Sequence, residues 1–562
     1  MVKIYKQALL SAVLLSGFAL PAYAEAPRLV LQITVDQLRG DLTEVNRQHL
    51  GKGGLAWLAK KGVHYANAHY EHANTETVVG HATLATGAQP SEHGMVSNVW
   101  LDRKLGRLIY NVEDTAFNLL TAGGGVDSSA EIDPTQKAAK VDGRSPRMLL
   151  ATTFSDELML ASNGKAKVFG VSVKDRGAIT MAGHTGKAYW FSKSTGDFVT
   201  SSYYMDQYPG WVSDWNNKNY PLRYANTEWA LTKAPKEYRS GLSDDNPWET
   251  DLPGWGRVFP HNYGESDSKM FNTFLTLSPA GDELTVDFAL ELINREAIGD
   301  DAETDFLSVS LSSTDYVGHV FGPASLESED NFLRLDRTIA RLLNGVDKAI
   351  GLKNVTIVLS ADHGGPEAPG YLAKNGFEVD YVDPSVWDKS DAIKSLKKRF
   401  GVGDSLIDQY FHPYLYLNHD TIKKHNLDPE LVEQAVAEAL TRFDGVNLAV
   451  SSRRLLSGRV PDTPLYRSVL NNHNPDRSGD IYIVFDPNRF INDFDGLTVA
   501  STHGSPWAYD TYVPIIMVVP GVKPKRVYRR VSPASVAPTL SALLGITPPA
   551  ASYADLLVEV LQ

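Results

Sequence analysis

Apolar residues gather along this chain in runs of about six to eight, bounded by polar or glycine-rich turns, as buried strands of a parallel sheet require. Such runs recur at 28–35, 167–173, 306–311, 355–359, 481–485 and 513–519. Between them the apolar spacing changes to three and four. Phe332, Leu335, Ile339, Leu342, Val346 and Ile350 form one stripe, and Glu327, Glu329 and Asp330 precede it where a helix dipole favours anions. A second helix opens at Asp428 with Pro429 in its first turn and runs to about Phe443; a third ends at Gly545, ahead of Pro548. This alternation predicts an α/β fold, a mostly parallel central sheet flanked by helices on both faces.

Two stretches break the rhythm. Residues from about 185 to 300 are crowded with aromatics, among them Tyr189, Trp190, Tyr203, Trp211, Trp215 and Trp229, and those from about 370 to 475 carry a further helix and mixed strands. Both read as inserts over the carboxyl edge of the sheet in a single catalytic domain spanning 25–562. The aromatics fit a small core of the insert's own better than a substrate pocket.

The beginning of the chain has another pattern. Lys3 and Lys6 precede an apolar stretch from Ala8 to Leu20, followed by Ala22, Tyr23 and Ala24. This is the form of a secretory signal peptide cut after Ala24, which predicts an exported protein, periplasmic or secreted. The stretch is short for a membrane span, and no later segment reaches the roughly 18 apolar residues one needs. Cleavage would leave 538 of the 562 residues and move the formal charge from −13 to −15, since two lysines and no acids are lost. That balance argues against nucleic acid as the main partner, whereas a small anion can still be drawn to local metal charge. The chain has no cysteine, so a zinc ion would be held by His and carboxylate alone. A monomer is compatible with this composition.

Chemistry collects where the apolar runs end. The first run delivers Asp36, the third delivers Asp315 and His319, and the fourth delivers Asp362 with His363. Ligand chemistry in parallel α/β folds sits at these carboxyl ends. Asp315 and His319, four apart, share a face if they lie on a helical turn. A lone histidine such as His49, His261 or His425 is more often a surface or satisfied core residue, and His69, Glu71 and His72 read as structural. GxSxG is absent, which leaves a serine triad without support.

Seven ordered segments, TVDQLRGD, NTETVVGHATLATG, SEHGMVSNVW, SVKDRGA, STDYVGH, SADHGG and STHGSPW, resemble the alkaline phosphatase superfamily. They look most like its threonine-nucleophile branch, the phosphate-irrepressible alkaline phosphatases. The resemblance implies two zinc ions per chain: Asp36, Thr77, Asp362 and His363 would hold one, and Asp315, His319 and His503 the other. It implies Thr77 as the nucleophile, with Thr75 the local competitor and a helix cap the alternative use of the hydroxyl. It implies a phosphothreonine intermediate, and Asn98, Lys174 and Arg176 as the contacts of the substrate's phosphate.

Lys174 and Arg176 would share a face if the strand before them runs on through both. Two fixed cations suit a phosphate monoester, which carries about two negative charges near pH 7, better than a diester, which carries one. Small phosphate monoesters are therefore the expected substrates. A phosphodiesterase or nucleotide pyrophosphatase on the same two-metal core is the nearest alternative. A sulfatase would take its nucleophile from a CxPxR-type motif, which a chain without cysteine lacks. An exported zinc- or phosphate-binding protein would have no use for a nucleophile.

Overall fold

The computed structural model describes residues 26–238 and 243–561. The signal-peptide segment lies outside them. The core is a nine-stranded sheet ordered Lys525–Val527, Val63–His69, Tyr512–Val518, Val355–Ser360, Leu29–Val35, Asp305–Leu311, Val168–Ser172, Lys187–Phe191 and Phe198–Val199. Leu29–Val35 lies at its centre, parallel to both neighbours, with Leu31 opposite Leu307 and Ile357. Every residue of this strand and of Asp305–Leu311 and Val355–Ser360 is buried. Continuous apolar runs, rather than alternating ones, are what two covered faces demand. Only Tyr512–Val518 and Phe198–Val199 run against the rest, so the sheet is mostly parallel, as the periodicity predicts.

Helices cover both faces. On one, Pro279–Arg295, Ser313–Phe321 and Leu326–Ala349 pack together over the larger apolar core. On the other, Thr77–Thr86, Phe154–Ala161, Asp175–Ala182 and Val536–Leu544 do so. The stripe expected from residue 331 belongs to a helix that starts at Leu326, because the Ser325 side chain accepts a hydrogen bond from Ser328 N and caps it there.

Of the six strand-like runs, 481–485 stands elsewhere. It joins a four-stranded antiparallel sheet, ordered Ile407–Phe411, Tyr414–Leu417, Ile481–Phe485 and Val446–Ser451, with a core of its own built on Trp387, Ile393 and Val436. The first aromatic stretch differs from expectation too. Tyr189, Trp215 and Trp229 do not make a separate core; they join the large cluster on the main sheet with Phe198 and Phe288, whose rings stack at 4.2 Å.

Candidate metal and phosphate site

Each acid at a strand end is held by its strand. Asp36 N donates to Leu311 O across the central pair at 2.9 Å, and Asp362 follows Val355–Ser360 by two residues. Asp315 and His319 lie one turn apart on Ser313–Phe321, and His503 arrives on the loop ahead of Tyr512–Val518. Thr77 opens a ten-residue helix, Thr77–Thr86, every residue of which is buried. Gly80 makes that packing possible, since a Cβ there would lie 1.9 Å from the Asp362 carbonyl oxygen. Gly504, at φ 117°, turns the chain beside His503 in backbone space that favours glycine.

The structure brings these residues into two adjoining groups, Asp315 with His319 and His503, and Asp36 with Asp315 and His363. Asp315 Oδ1 lies 3.3 Å from His319 Nε2 and 3.2 Å from His503 Nε2. His363 Nε2 lies 3.3 Å from Asp36 Oδ1 and 3.6 Å from Asp362 Oδ2, and the His363 and His503 rings stack at 3.5 Å.

The hydrogen bonds behind the rings fix what the front can do. His319 Nδ1 pairs with Ser501 O, His363 Nδ1 with Gly364 O and His503 Nδ1 with Thr75 O, each at 2.8 Å. A carbonyl only accepts, so each Nδ1 carries a proton and each Nε2 is turned toward carboxylate oxygen, where a proton or a metal ion can stand between the two. Asp36 Oδ1, Asp362 Oδ2 and His363 Nε2 are buried with no hydrogen-bond partner. Carboxylate oxygen plus Nε2, with Nδ1 tied to backbone, is the donor set and orientation of a zinc site, so the residues present fit the metal.

Electrostatics point the same way. Burial alone would raise the Asp36 and Asp315 carboxyls, but the Lys174 ammonium outweighs it and holds both below the usual carboxylate range. Lys174 Nζ sits 2.7 Å from Asp36 Oδ2 and also bonds Asp315. Burial would lower His363, yet Asp362 and Asp36 pull it up to about 9. Burial and the neighbouring His363 push His503 down to about 3.

Thr77 Oγ1 has two cations for neighbours, Lys174 Nζ and Arg176 Nη2, each at 3.4 Å. The reason is not the one strand alternation suggests. The strand ends at Ser172, Lys174 occupies the position before the helix Asp175–Ala182, and Arg176 stands in its first turn. Asp175 turns away to pair with Arg144 at 2.7 Å. Asn98 Oδ1 accepts from Val78 N at 3.1 Å, which satisfies a free N–H of the Thr77 helix and directs its amide group along the cavity wall. The N-cap position of this helix is Glu76, not Thr77, and the Thr77 hydroxyl faces the two cations, whereas Thr75 Oγ1 donates to Ser505 O. His69 and Glu71 bond elsewhere, to Thr511 and Tyr553.

Several neighbours escaped the sequence reading. Gln37 Nε2 donates to Asp315 Oδ1 and Gln37 N to Asp362 Oδ1, both at 3.2 Å, so one residue ties two of the candidate ligand acids together. His81 Nδ1 lies 2.9 Å from Thr77 O and 3.1 Å from Asp362 Oδ2, with Nε2 on Ser310 Oγ. Both stand inside recognisable motifs, beside Asp36 and in the Thr77 segment, and that adjacency was the available signal. Asp133 pairs with Arg176 at 3.0 Å from a loop with no periodicity, where no signal exists. Glu76 accepts from Asn98 N and Asn74 Nδ2, and burial raises its carboxyl to about 7.

The model of the type I phosphodiesterase / nucleotide pyrophosphatase family matches residues 30–506. Alkaline phosphatase PhoV of Synechococcus elongatus is 33% identical over 96% of this chain and 94% of its own length. A Myroides odoratus protein that bears the name calcium-transporting ATPase is 33% identical over 96% of this chain and 95% of its own. A crystal structure of wild-type alkaline phosphatase PafA, a name carried by a protein of Elizabethkingia meningoseptica, superposes with a TM-score of 0.87 at 32% identity, over 96% of this chain and 100% of that one.

Proposed function

Because the chain belongs to the type I phosphodiesterase / nucleotide pyrophosphatase family and, within it, to the alkaline phosphatases related to PhoV and PafA, we propose that it is an exported phosphomonoesterase that works through a phosphothreonine intermediate at a two-zinc centre. Asp36, Thr77, Asp362 and His363 would hold one ion and Asp315, His319 and His503 the other. Zinc, when bound, supplies positive charge to the attacking and departing oxygens of an in-line displacement.

The observation that carries this reading is the surrounding of Thr77. Both side-chain neighbours of its Oγ1 are cations, which lowers the cost of losing the hydroxyl proton. Oγ1 forms the new bond to phosphorus, the ester's alcohol leaves, and water then cleaves the phosphothreonine to release phosphate and restore the hydroxyl. Lys174, Arg176 and Asn98 would grip the non-bridging oxygens. Asp133 and Tyr110, bonded to Arg176 at 3.0 and 3.2 Å, hold its guanidinium in place.

A diesterase, the other activity in the family's description, would place a second substituent against Lys174 and Arg176, where it finds charge in place of space. The test compares hydrolysis of a monoester and a diester that share one leaving group, before and after chelation and with zinc restored. Monoester turnover should dominate, vanish on chelation and return with zinc, with two zinc ions per chain by elemental analysis. Diester preference would install the alternative. Full activity without bound transition metal would end the zinc assignment. Export is supported by Lys3, Lys6 and the stretch from Ala8 to Ala24, and a mature protein starting at Glu25 would bear it out.

A further inference from the structure

The cavity above Thr77 measures about 340 Å³, far more than a phosphoryl group fills. Part of its lining is the site already described. The rest includes the rings of Tyr410, Phe485, Phe490 and Phe494 with Ile132 and Ile491. Phe485 and Phe490 are buried, and Phe494 lies against His319 with ring centroids 5.2 Å apart, which fixes this wall beside the Asp315 group of ligands.

The charge along the cavity is one-sided. Among its described lining residues Arg176 is the sole cation, and it is spent on Asp133 and the phosphate site. Glu76, Asp133, Asp493 and Asp495 supply the acids away from the metal ligands. Asp493 and Asp495 are exposed at the mouth, and Lys137 reaches only Asp495, at 3.4 Å. An alcohol bearing phosphates or carboxylates would meet acids with no free cation to offset them, whereas a flat apolar ring would be desolvated between aromatic faces.

We propose that this part of the cavity is the leaving-group subsite and that it selects monoesters of flat, uncharged, apolar alcohols, aryl esters above all, over esters whose alcohol part is anionic. The inference rests on the monoesterase reading and adds the substrate class to it. The four-stranded sheet supplies Tyr410 and Phe485, and the Phe490 to Phe494 segment follows it, so most of this wall comes from that sheet and its exit and none of it from the aromatic stretch at 189–229, none of whose residues lines the cavity.

The experiment measures kcat/KM for three monoesters whose alcohols share one pKa: a neutral aryl ester, the same aryl ester carrying a carboxylate, and a small fluoroalkyl ester. Matching the pKa removes leaving-group chemistry from the comparison. The neutral aryl ester should exceed each of the others by about tenfold, the scale of burying and stacking one ring. Phe490→Ala and Phe494→Ala should cut the aryl-to-alkyl ratio by about the same factor, with Phe490→Leu between, since it keeps bulk and loses the flat face. Should the alanine variants fold poorly, inhibition of the unaltered enzyme decides: phenylphosphonate should bind about tenfold tighter than methylphosphonate. Equal turnover of all three esters, a preference for the carboxylate-bearing one, or equal inhibition by the two phosphonates would overturn this inference alone. Failure to hydrolyse any of the three would fall on the monoesterase reading and remove both.

Discussion

Two of the groups of buried acids among the described residues differ in their surroundings, and only the first is suited to a metal. At the strand ends Asp36 and Asp315 are kept ionised because Lys174 outweighs the burial that would neutralise them. Beneath the loops around residues 244–261, Asp244, Glu249 and Glu327 gather with no lysine or arginine among the causes that raise them. Burial lifts Glu327 well above the usual range and Glu249 to about 8, each acid adding to its neighbour. The histidines show the same divide. His261 Nδ1 pairs with Trp255 O at 3.3 Å, so its Nε2 is an acceptor, and burial drives the ring down to about 4. Glu327 Oε1, 3.1 Å from that Nε2, must therefore be the protonated donor. His363 has the same backbone bond behind it, but Asp362 and the ionised Asp36 in front pull its ring up to about 9, so this site attracts a cation where the other sheds one. A metal centre is thus recognised by the charge state its surroundings impose, not by a count of acids.

The largest effect expected is at the proposed nucleophile. Thr77→Ala should lose several orders of magnitude in kcat/KM while Thr77→Ser keeps appreciable activity, and His319→Ala or Asp362→Ala should abolish turnover. Glu327→Gln, in the second group, should leave turnover intact, since Gln keeps a donor toward His261. Steady-state kinetics on one aryl phosphate checks all five proteins. Loss of activity in Glu327→Gln but not in Asp362→Ala would reverse the comparison.

Next comes the choice between esters. Charge-assisted contacts of the kind Lys174 and Arg176 would make are worth about 1.5 to 3 kcal/mol each. Replacing both with Ala should lower the monoester-to-diester ratio of kcat/KM by roughly a hundredfold or more, with diester hydrolysis changing far less. An unchanged ratio would mean that Lys174 serves only to keep Asp36 and Asp315 ionised and Arg176 only to pair with Asp133.

The smallest effect is on stability and belongs to the second group. Glu249 titrates near 8 in the folded protein against an ordinary value of 4.5. Between those values the folded state holds a proton that the unfolded state has lost, so its contribution is present below pH 4.5 and fades as pH rises through about 8. Glu249→Gln removes that titration. The variant should match the parent near pH 4.5 and exceed it near pH 9 by on the order of 1 kcal/mol, read from denaturant midpoints. A gain of equal size at both pH values would rule out this titration as its cause.

Much of this was legible in the chain. The apolar runs before Asp36 and Asp362 reveal buried strands because both faces of the sheet are covered, and the candidate ligands stand at their ends. Lys174 and Arg176 do converge, but through a helix start after Ser172 that alternation could not reveal, since a strand and the first turn of a helix both bring residues two apart close enough to share a target. The aromatics at 189–229 carry the same composition whether they fill a core or line a pocket, and only packing decided between them. Asp133 and Phe490 lie on loops and Phe494 in a two-residue strand, where neither period applies, and their places depend on tertiary contacts.

The account turns on whether the phosphoryl group passes through Thr77. Acid quenching during turnover of a phosphate-labelled monoester, followed by digestion and peptide mapping, measures that directly. The label is predicted on Thr77, in the peptide that also contains His81; label on Thr75, or on no residue at all, would contradict it.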